Sequence, residues 1–484
     1  MKIKNLILGT MFAGFAASAS AQTIDITITG ATAFRTATLQ AIYDAYDSVG
    51  NLGTDFFVCH SANGTALSNL TGSNQAVFKG KFPGMPEGST TYVRTAFNGS
   101  TAGLNSIAGN NNIAFLTQAA VNNATTSILG GVTSPTETIR PKFSFSDVYQ
   151  STSPVDNVDL NPVGSSAVGI VTFCMIANEG APADLTNVTI QQARQLWDSG
   201  SQRLSLFTGD PNDTNYVFAT GRNDGSGTRS AYLTEWSFGV ANLVNQYIAT
   251  KTGTSGNTIT KITKVPENGL GTGNTETSSA ANASSLWGNA NVGNGGYDSS
   301  SGLRTLMGLT SANVTVYDGV DQSPVLENQP IHLITWLSTA DSLSAAGAGA
   351  KILSYNGVKV TPVTVAGETY TDSTGGVAND NDQYDLGETY VDSNNNGVYD
   401  GPTYLGSGFN EADFKKIATG AYSAWSYQHL YYHGTLSSNE QTWYDSMKAT
   451  YIPAALQTTA NGVRLGDVTV SRPDDGLPIV APLN

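Results

Sequence analysis

Thr23-Ile-Asp-Ile-Thr-Ile-Thr29 alternates apolar and polar positions without a break, which predicts a strand with one buried face. Gly30-Ala-Thr-Ala-Phe-Arg35 then turns into residues 36–46, where Leu39, Ile42, Tyr43 and Tyr46 share one helical face. The same succession of strand, small polar turn and helix returns at 92–107, through Asn98-Gly-Ser-Thr-Ala-Gly103. It returns again at 216–238, through Gly221-Arg-Asn-Asp-Gly-Ser-Gly-Thr-Arg229, after which Tyr232, Leu233 and Trp236 recur at helical spacing. A strand over 141–148 ends in Ser146-Asp147, and the nearly continuous apolar run 167–177 suits a strand covered on both faces. Strands are also predicted at 113–116, 332–337, 350–358 and 424–433. Helices are predicted at 189–197, from Trp236 to about 250, at 409–418, and over 438–451, stopping before Pro453. Residues 51–91 and 251–302 read as irregular Gly/Asn/Ser-rich segments.

A turn between a strand end and a helix start leaves backbone N–H groups unpaired at the positive end of the helix dipole, and so forms an anion cradle. In 221–229 the glycines allow close backbone approach, Ser226 and Thr228 offer hydroxyls, and Arg222 is a planar two-pronged donor that Asp224 can orient. Ser and Thr also cap ordinary helices, so one such junction is weak evidence for a ligand. Three of them imply a parallel α/β sheet with ligand at the carboxyl ends of its strands. Asp147 admits two readings: a simple cap, or an acceptor for a proton that the bound anion keeps, which would repel fully ionised sulfate.

The 484 residues predict two to three domains, and 13% charged with 39% hydrophobic residues describe a globular, loop-rich chain rather than a disordered one. The formal charge of −15 argues against nucleic acid or an anionic membrane as partner, but not against a small anion held by amides and one arginine. Lys2 and Lys4, the apolar stretch 6–17 and Ala19-Ser-Ala21 predict a leader over 1–21, cleaved near Ala21, and a periplasmic or secreted chain. No later run is long enough to span a membrane. Cys59 and Cys174 can form one disulfide or remain two buried thiols. His429 and His433 lie in a strand-like segment and Ser226 lacks a recognisable base, so neither zinc nor esterase chemistry is expected. The chain does not read as an enzyme.

These motifs resemble the periplasmic phosphate-binding proteins of ABC uptake systems. Arg222-Asn-Asp-Gly-Ser-Gly-Thr228 is close to that family's Arg-x-Asp-Gly-Ser-Gly-Thr signature. Gly30-Ala-Thr-Ala-Phe34 looks like its first phosphate loop, Asn98-Gly-Ser-Thr-Ala-Gly103 like its Gly-Ser-x-Gly loop, and Phe143-Ser-Phe-Ser-Asp147 like its Phe-Gly-x-Ser-Asp. The segment 181–197 follows the family's polar turn, helix and Trp. Motifs cover roughly 23–250; from 330 to 434 only the order of elements agrees. The resemblance implies a two-lobed type II periplasmic-binding-protein fold with the ligand in a cleft between lobes. Lobe 1 would be 22–170 plus 421–484 and lobe 2 171–420, joined by crossover strands near 166–175 and 420–430. Implied ligand contacts are Thr32, Ala33 or Phe34, Ser100, Asp147, Arg222, Ser226, Gly227 and Thr228, with Asp224 beside them. The implied ligand is phosphate or a similar oxyanion, the implied partner an ABC permease, and the implied state a monomer. The long gap between Ser100 and Asp147 makes Gln118, after the 113–116 strand, a rival for the acid position.

Residues 367–403 read as an insertion carrying a period-20 repeat, Gly367-Glu-Thr-Tyr-Thr-Asp372 and Gly387-Glu-Thr-Tyr-Val-Asp392. Asp392, Asn394, Asn396 and Asp400 hold the oxygen-ligand positions of an EF-hand-like loop, with Gly397 at the sharp turn but Thr403 at the twelfth position. The preceding half offers Asn379, Asn381, Asp385 and Glu388. Structural Ca²⁺ is therefore expected, and it supports an alternative reading as a secreted, Ca²⁺-dependent surface or interaction protein reusing this fold without transport.

Overall fold

The computed structural model describes residues 22–481 except 126, 156–159, 163–165, 243, 252–257, 266–279, 282–294, 298, 320–322, 364–369, 372–388, 392–407 and 460–461. The architecture is mixed α/β, organised on one eleven-stranded sheet. In chain order its principal strands are β1 (Thr23–Gly30), β2 (Phe56–His60), β3 (Gln75–Gly80), β4 (Thr90–Phe97), β5 (Phe143–Ser146), β6 (Ala167–Ala177), β7 (Ser201–Arg203), β8 (Tyr216–Ala219), β9 (Ile331–Ser338) and β10 (Trp425–Tyr432). Across the sheet they run β7-β8-β9-β6-β10-β5-β1-β4-β3-β2, with Lys351–Ile352 paired on β6. The helices that matter for the site are α1 (Arg35–Asp47), α2 (Ser100–Ala108), α3 (Gly227–Glu235), α4 (Ser300–Met307) and α5 (Thr339–Gly347).

The expected parallel sheet is found only in part: β1 runs parallel to β4 and β5, and β8 parallel to β9, whereas the other pairings of this sheet are antiparallel. The carboxyl ends of β1, β4 and β5 therefore lie on one side, and α1 and α2 start there. β6 and β10 lie in the middle and run antiparallel to their neighbours. Strand β6 serves both halves, since Ile170, Val171 and Thr172 pair with β10 while Phe173 through Ala177 pair with β9. That position explains its composition: ten of its eleven residues are buried, as a strand covered on both faces requires. Cys174, in β6, and Cys59, in β2, are both buried free thiols, and burial pushes each up to about 12.

Three expectations need correction. Residues 51–91 are not irregular. They form a hairpin of β2 on β3 with a short helix between, missed because Phe56, Val58, Ala76 and Phe78 come in short runs broken by Gly, Ser and Asn. No helix continues from Trp236 to 250. Ser237 takes φ 50° and Gly239 φ 91°, which ends α3, and Tyr247–Lys251 is a strand paired with Ile259–Lys264. The C-terminal helix does not stop before Pro453. Ser438–Ser446 passes through a π turn, Met447–Tyr451, into Ile452–Thr458, where Pro453 sits in the first turn and its missing N–H is not needed.

The leader, 1–21, and all eight expected calcium ligands, Asn379, Asn381, Asp385, Glu388, Asp392, Asn394, Asn396 and Asp400, lie outside the described residues. At the edge of that insertion Tyr370–Thr371 pairs antiparallel with Thr389–Tyr390, so the two repeat copies meet at their common tyrosine. Among the described residues no helix is long and apolar enough to cross a membrane.

Candidate functional site

Three of the predicted turns converge. β4 ends at Phe97, and Gly99 enters α2 at φ 108°, a conformation that disfavours any side chain. A Cβ there would also stand 2.5 Å from the Gly225 carbonyl, because the 221–229 stretch comes down directly on the start of α2. The contact is sealed by Ala102 N–H donating to Gly225 O (3.2 Å) and by Thr101 Oγ1 against Ser230 Oγ (3.3 Å). The third turn follows β5. Asp147 N–H donates to Ser100 Oγ (3.1 Å), and the Ser100 hydroxyl donates to Asp147 Oδ1 (2.5 Å). Thus Asp147 meets Ser100, whereas Gln118 opens a 3₁₀ turn after Ile113–Leu116, which among the described residues pairs with Thr136–Ile139 outside the main sheet. Gly227 closes the cluster. A Cβ on it would fall 2.3 Å from Ser100 Oγ and 3.0 Å from Asp147 Cγ.

Ser100, Asp147, Ser226, Gly227 and Thr228 are all buried. Burial pushes the Asp147 carboxyl above its ordinary range, opposed by the Ser100 hydroxyl, the Arg222 charge, a backbone N–H and the Thr228 hydroxyl. The donors and the Arg222 charge that oppose this rise favour the ionised carboxylate, which is the acceptor that an anion still carrying a proton requires. Ser226 caps α3 by accepting from Arg229 N–H (3.4 Å). So the N-termini of α2 and α3, each nine residues long, point at one small region with the carboxyl beside it.

Arg222 is buried behind this cluster. Its Nε donates to Tyr297 O (3.1 Å) and Nη1 to Ser300 Oγ (2.6 Å), which fixes the guanidinium plane. The backbone follows: Tyr297 N–H donates to Gly221 O (2.9 Å) and Asn223 N–H to Tyr297 O (3.0 Å). Asp224 is buried too, and its charge acts on the buried Arg229 guanidinium. Phe34 turns its ring into the core, 5.8 Å from Phe145, so only its backbone can serve a ligand; Thr32 and Ala33 line a cavity.

That cavity, about 380 Å³, opens between the carboxyl ends of β1 and β4 on one side and the starts of α4 and α5 on the other. Sequence reasoning missed most of its wall: Arg35, Asn74, Ser300, Arg304, Ser338 and Asp341. Arg35 had a signal, since it directly follows the first loop, and Ser338-Thr-Ala-Asp341 is a capping pattern, with Ser338 Oγ donating to Asp341 Oδ2 (3.1 Å). Arg304 had none; it lies just past the segment 251–302 read as irregular, on a helix that starts inside that segment at Ser300.

The C-terminal segment braces this arrangement from outside. Arg472 forms an ion pair with Glu235 at the end of α3 (3.0 Å) and donates to Trp425 O and Ser423 O. Asp475 Oδ2 accepts from Tyr149 N–H (2.6 Å) and the Thr152 hydroxyl (2.5 Å), just beyond Asp147. Burial pushes Asp475 up to about 7 from an ordinary 3.8. The unfolded chain releases this proton near 3.8 and the folded chain near 7, so rising pH across that window favours the unfolded state. Stability is expected to fall by at most about 4 kcal/mol from this group between those values, and Asp475→Asn should flatten that part of a Tm–pH curve. An unchanged slope in the variant would rule the assignment out.

No family model and no curated protein sequence matches the chain. Among solved structures, an ABC-type phosphate transport receptor from Vibrio cholerae is 9% identical with a TM-score of 0.39, covering 90% of this chain and 99% of its own. A proposed phosphate ABC transporter substrate-binding protein from Clostridium perfringens, with phosphate bound, is 10% identical with a TM-score of 0.37, covering 91% and 99%. PstS from Borrelia burgdorferi is 9% identical with a TM-score of 0.31, covering 88% and 92%. The functional reading rests on the chain's own residues.

Proposed function

We propose that this chain is a substrate-binding protein that captures phosphate, or a similar protonated tetrahedral oxyanion, for delivery to an ABC permease. The observation that supports it most is the meeting of Ser100, Asp147, Gly227 and Thr228 at two facing helix N-termini. Helix-end amides and Arg222 supply charge complementarity, hydroxyls supply directed donors, and Asp147 accepts the proton that phosphate retains and sulfate lacks. The site is read as binding because the three turns offer donors to an anion, and Asp147 is held by hydroxyls rather than poised against a nucleophile's base.

Competition calorimetry with phosphate and sulfate tests this reading. The wild-type chain is expected to bind phosphate and reject sulfate. Asp147→Asn replaces an acceptor by a group that also donates, and the phosphate-over-sulfate preference should drop by about tenfold or more. A wild-type protein that binds neither anion, or a variant with unaltered preference, would be incompatible with the proposal.

A further inference from the structure

The cavity beside the Ser100–Asp147 cluster is too large and too basic for a lone phosphate. At about 380 Å³ it has room for about a dozen waters at about 30 Å³ each, several times what one tetrahedral oxyanion fills. Two guanidiniums line it from opposite sides, Arg35 at the start of α1 and Arg304 on α4, in a chain whose formal charge is −15. Among the described residues of that wall Asp341 is the one carboxylate, and it is committed to Arg304 at 3.2 Å. Among the described residues no carboxylate is bonded to Arg35. Its Nη1 donates to the Asn74 side-chain carbonyl, and its Nε is buried without a hydrogen-bond acceptor. Burial and the charges of Arg304 and Arg222 all press this guanidinium towards its neutral form, opposed only by Asp341. A half-buried cation with so little compensation on a cavity wall is suited to a negatively charged group of a ligand.

Arg222 joins the two regions. It lowers the Asp147 pKa on one side and, on the other, donates to Ser300, whose residue forms part of the cavity wall. We infer that the ligand is a two-headed anion. One tetrahedral oxyanion lies against Ser100, Asp147 and the start of α3, and a second anionic group, covalently linked to it, lies between Arg35 and Arg304. This rests on the proposed oxyanion function and names its substrate class: a diphosphate, or a phosphate ester carrying another acidic group.

Calorimetric titration of the purified full chain with inorganic phosphate and inorganic diphosphate tests it. Diphosphate should bind at least about tenfold more tightly than phosphate, the gain expected for one charge-assisted bidentate contact. Arg304→Gln, at a side chain 42% exposed and so tolerant of replacement, should collapse that preference to within about twofold. Arg35→Gln should do the same; circular dichroism reports whether that more buried variant folds, and Arg304→Gln decides the matter if it does not. Phosphate binding with no diphosphate preference, or a preference that survives Arg304→Gln, overturns the two-headed ligand and leaves the oxyanion function standing. Binding of neither ion overturns both.

Discussion

Arg222→Ala should abolish measurable oxyanion binding and cost about 1–3 kcal/mol of stability. The side chain is buried, and the deletion takes one of two donors from the Tyr297 carbonyl, which keeps Asn223 N–H, and removes the guanidinium donor from the Ser300 hydroxyl. It also removes a nearby positive charge that restrains the burial-driven rise in the Asp147 pKa, so the carboxyl takes up a proton more readily and becomes a poorer acceptor for the ligand's proton. Because Tyr297 and Gly221 are tied through their backbones, the loss reaches the entry to α3 as well. Arg222→Lys separates charge from shape. An ammonium keeps the charge but cannot serve Tyr297 O and Ser300 Oγ together in one plane, so the chain should fold with a lower Tm and bind phosphate at least about tenfold more weakly. Chemical denaturation and calorimetry on both variants decide it, and full affinity in a folded Arg222→Ala protein would remove this residue from the site.

The parts of the site that were legible in the sequence are those set by local chemistry. Gly99-Ser100, Ser146-Asp147 and the 221–229 stretch each combine a strand end with residues that only a tight, amide-exposing turn favours, and all three form such turns. The nearly continuous apolar run of β6 likewise announced a strand with both faces covered. The cavity wall was not legible, for a topological reason. Ser300 and Arg304 come from one segment and Ser338 and Asp341 from another, brought beside the first loop by the parallel pairing of β8 with β9 across more than a hundred residues. Nothing local in Ser299-Ser-Ser-Gly-Leu-Arg304 marks it as a wall. The segment after Trp236 misled because Phe238, Val244, Tyr247 and Ile248 are apolar at spacings that fit a helical face, and they are buried instead as a turn and a strand.

Gly227→Ala offers a prediction whose sign separates crowding from propensity. Alanine is a better helix former than glycine by about 0.8–1.0 kcal/mol in a helix interior, so at the first residue of α3 the substitution would mildly stabilise the chain if there were space. There is none. The new methyl carbon would stand 2.3 Å from Ser100 Oγ and 2.4 Å from Ser100 Cβ, with Asp147 Cγ at 3.0 Å. Neither neighbour can give way cheaply. Ser100 heads α2, whose next turn is fixed by Ala102 N–H on Gly225 O, and its hydroxyl is committed to Asp147 as both donor and acceptor. The start of α3 must therefore lift away from α2, an overpacking cost of about 1–3 kcal/mol that outweighs the propensity gain. The same displacement separates the two helix N-termini and breaks the Ser100–Asp147 pairing, so phosphate affinity should fall about a hundredfold, the equivalent of two weakened charge-assisted hydrogen bonds. Thermal denaturation and phosphate titration of Gly227→Ala together read the outcome. A Tm at or above that of the parent chain, with phosphate affinity intact, would mean that α2 and α3 do not meet at Gly227 when the ligand binds.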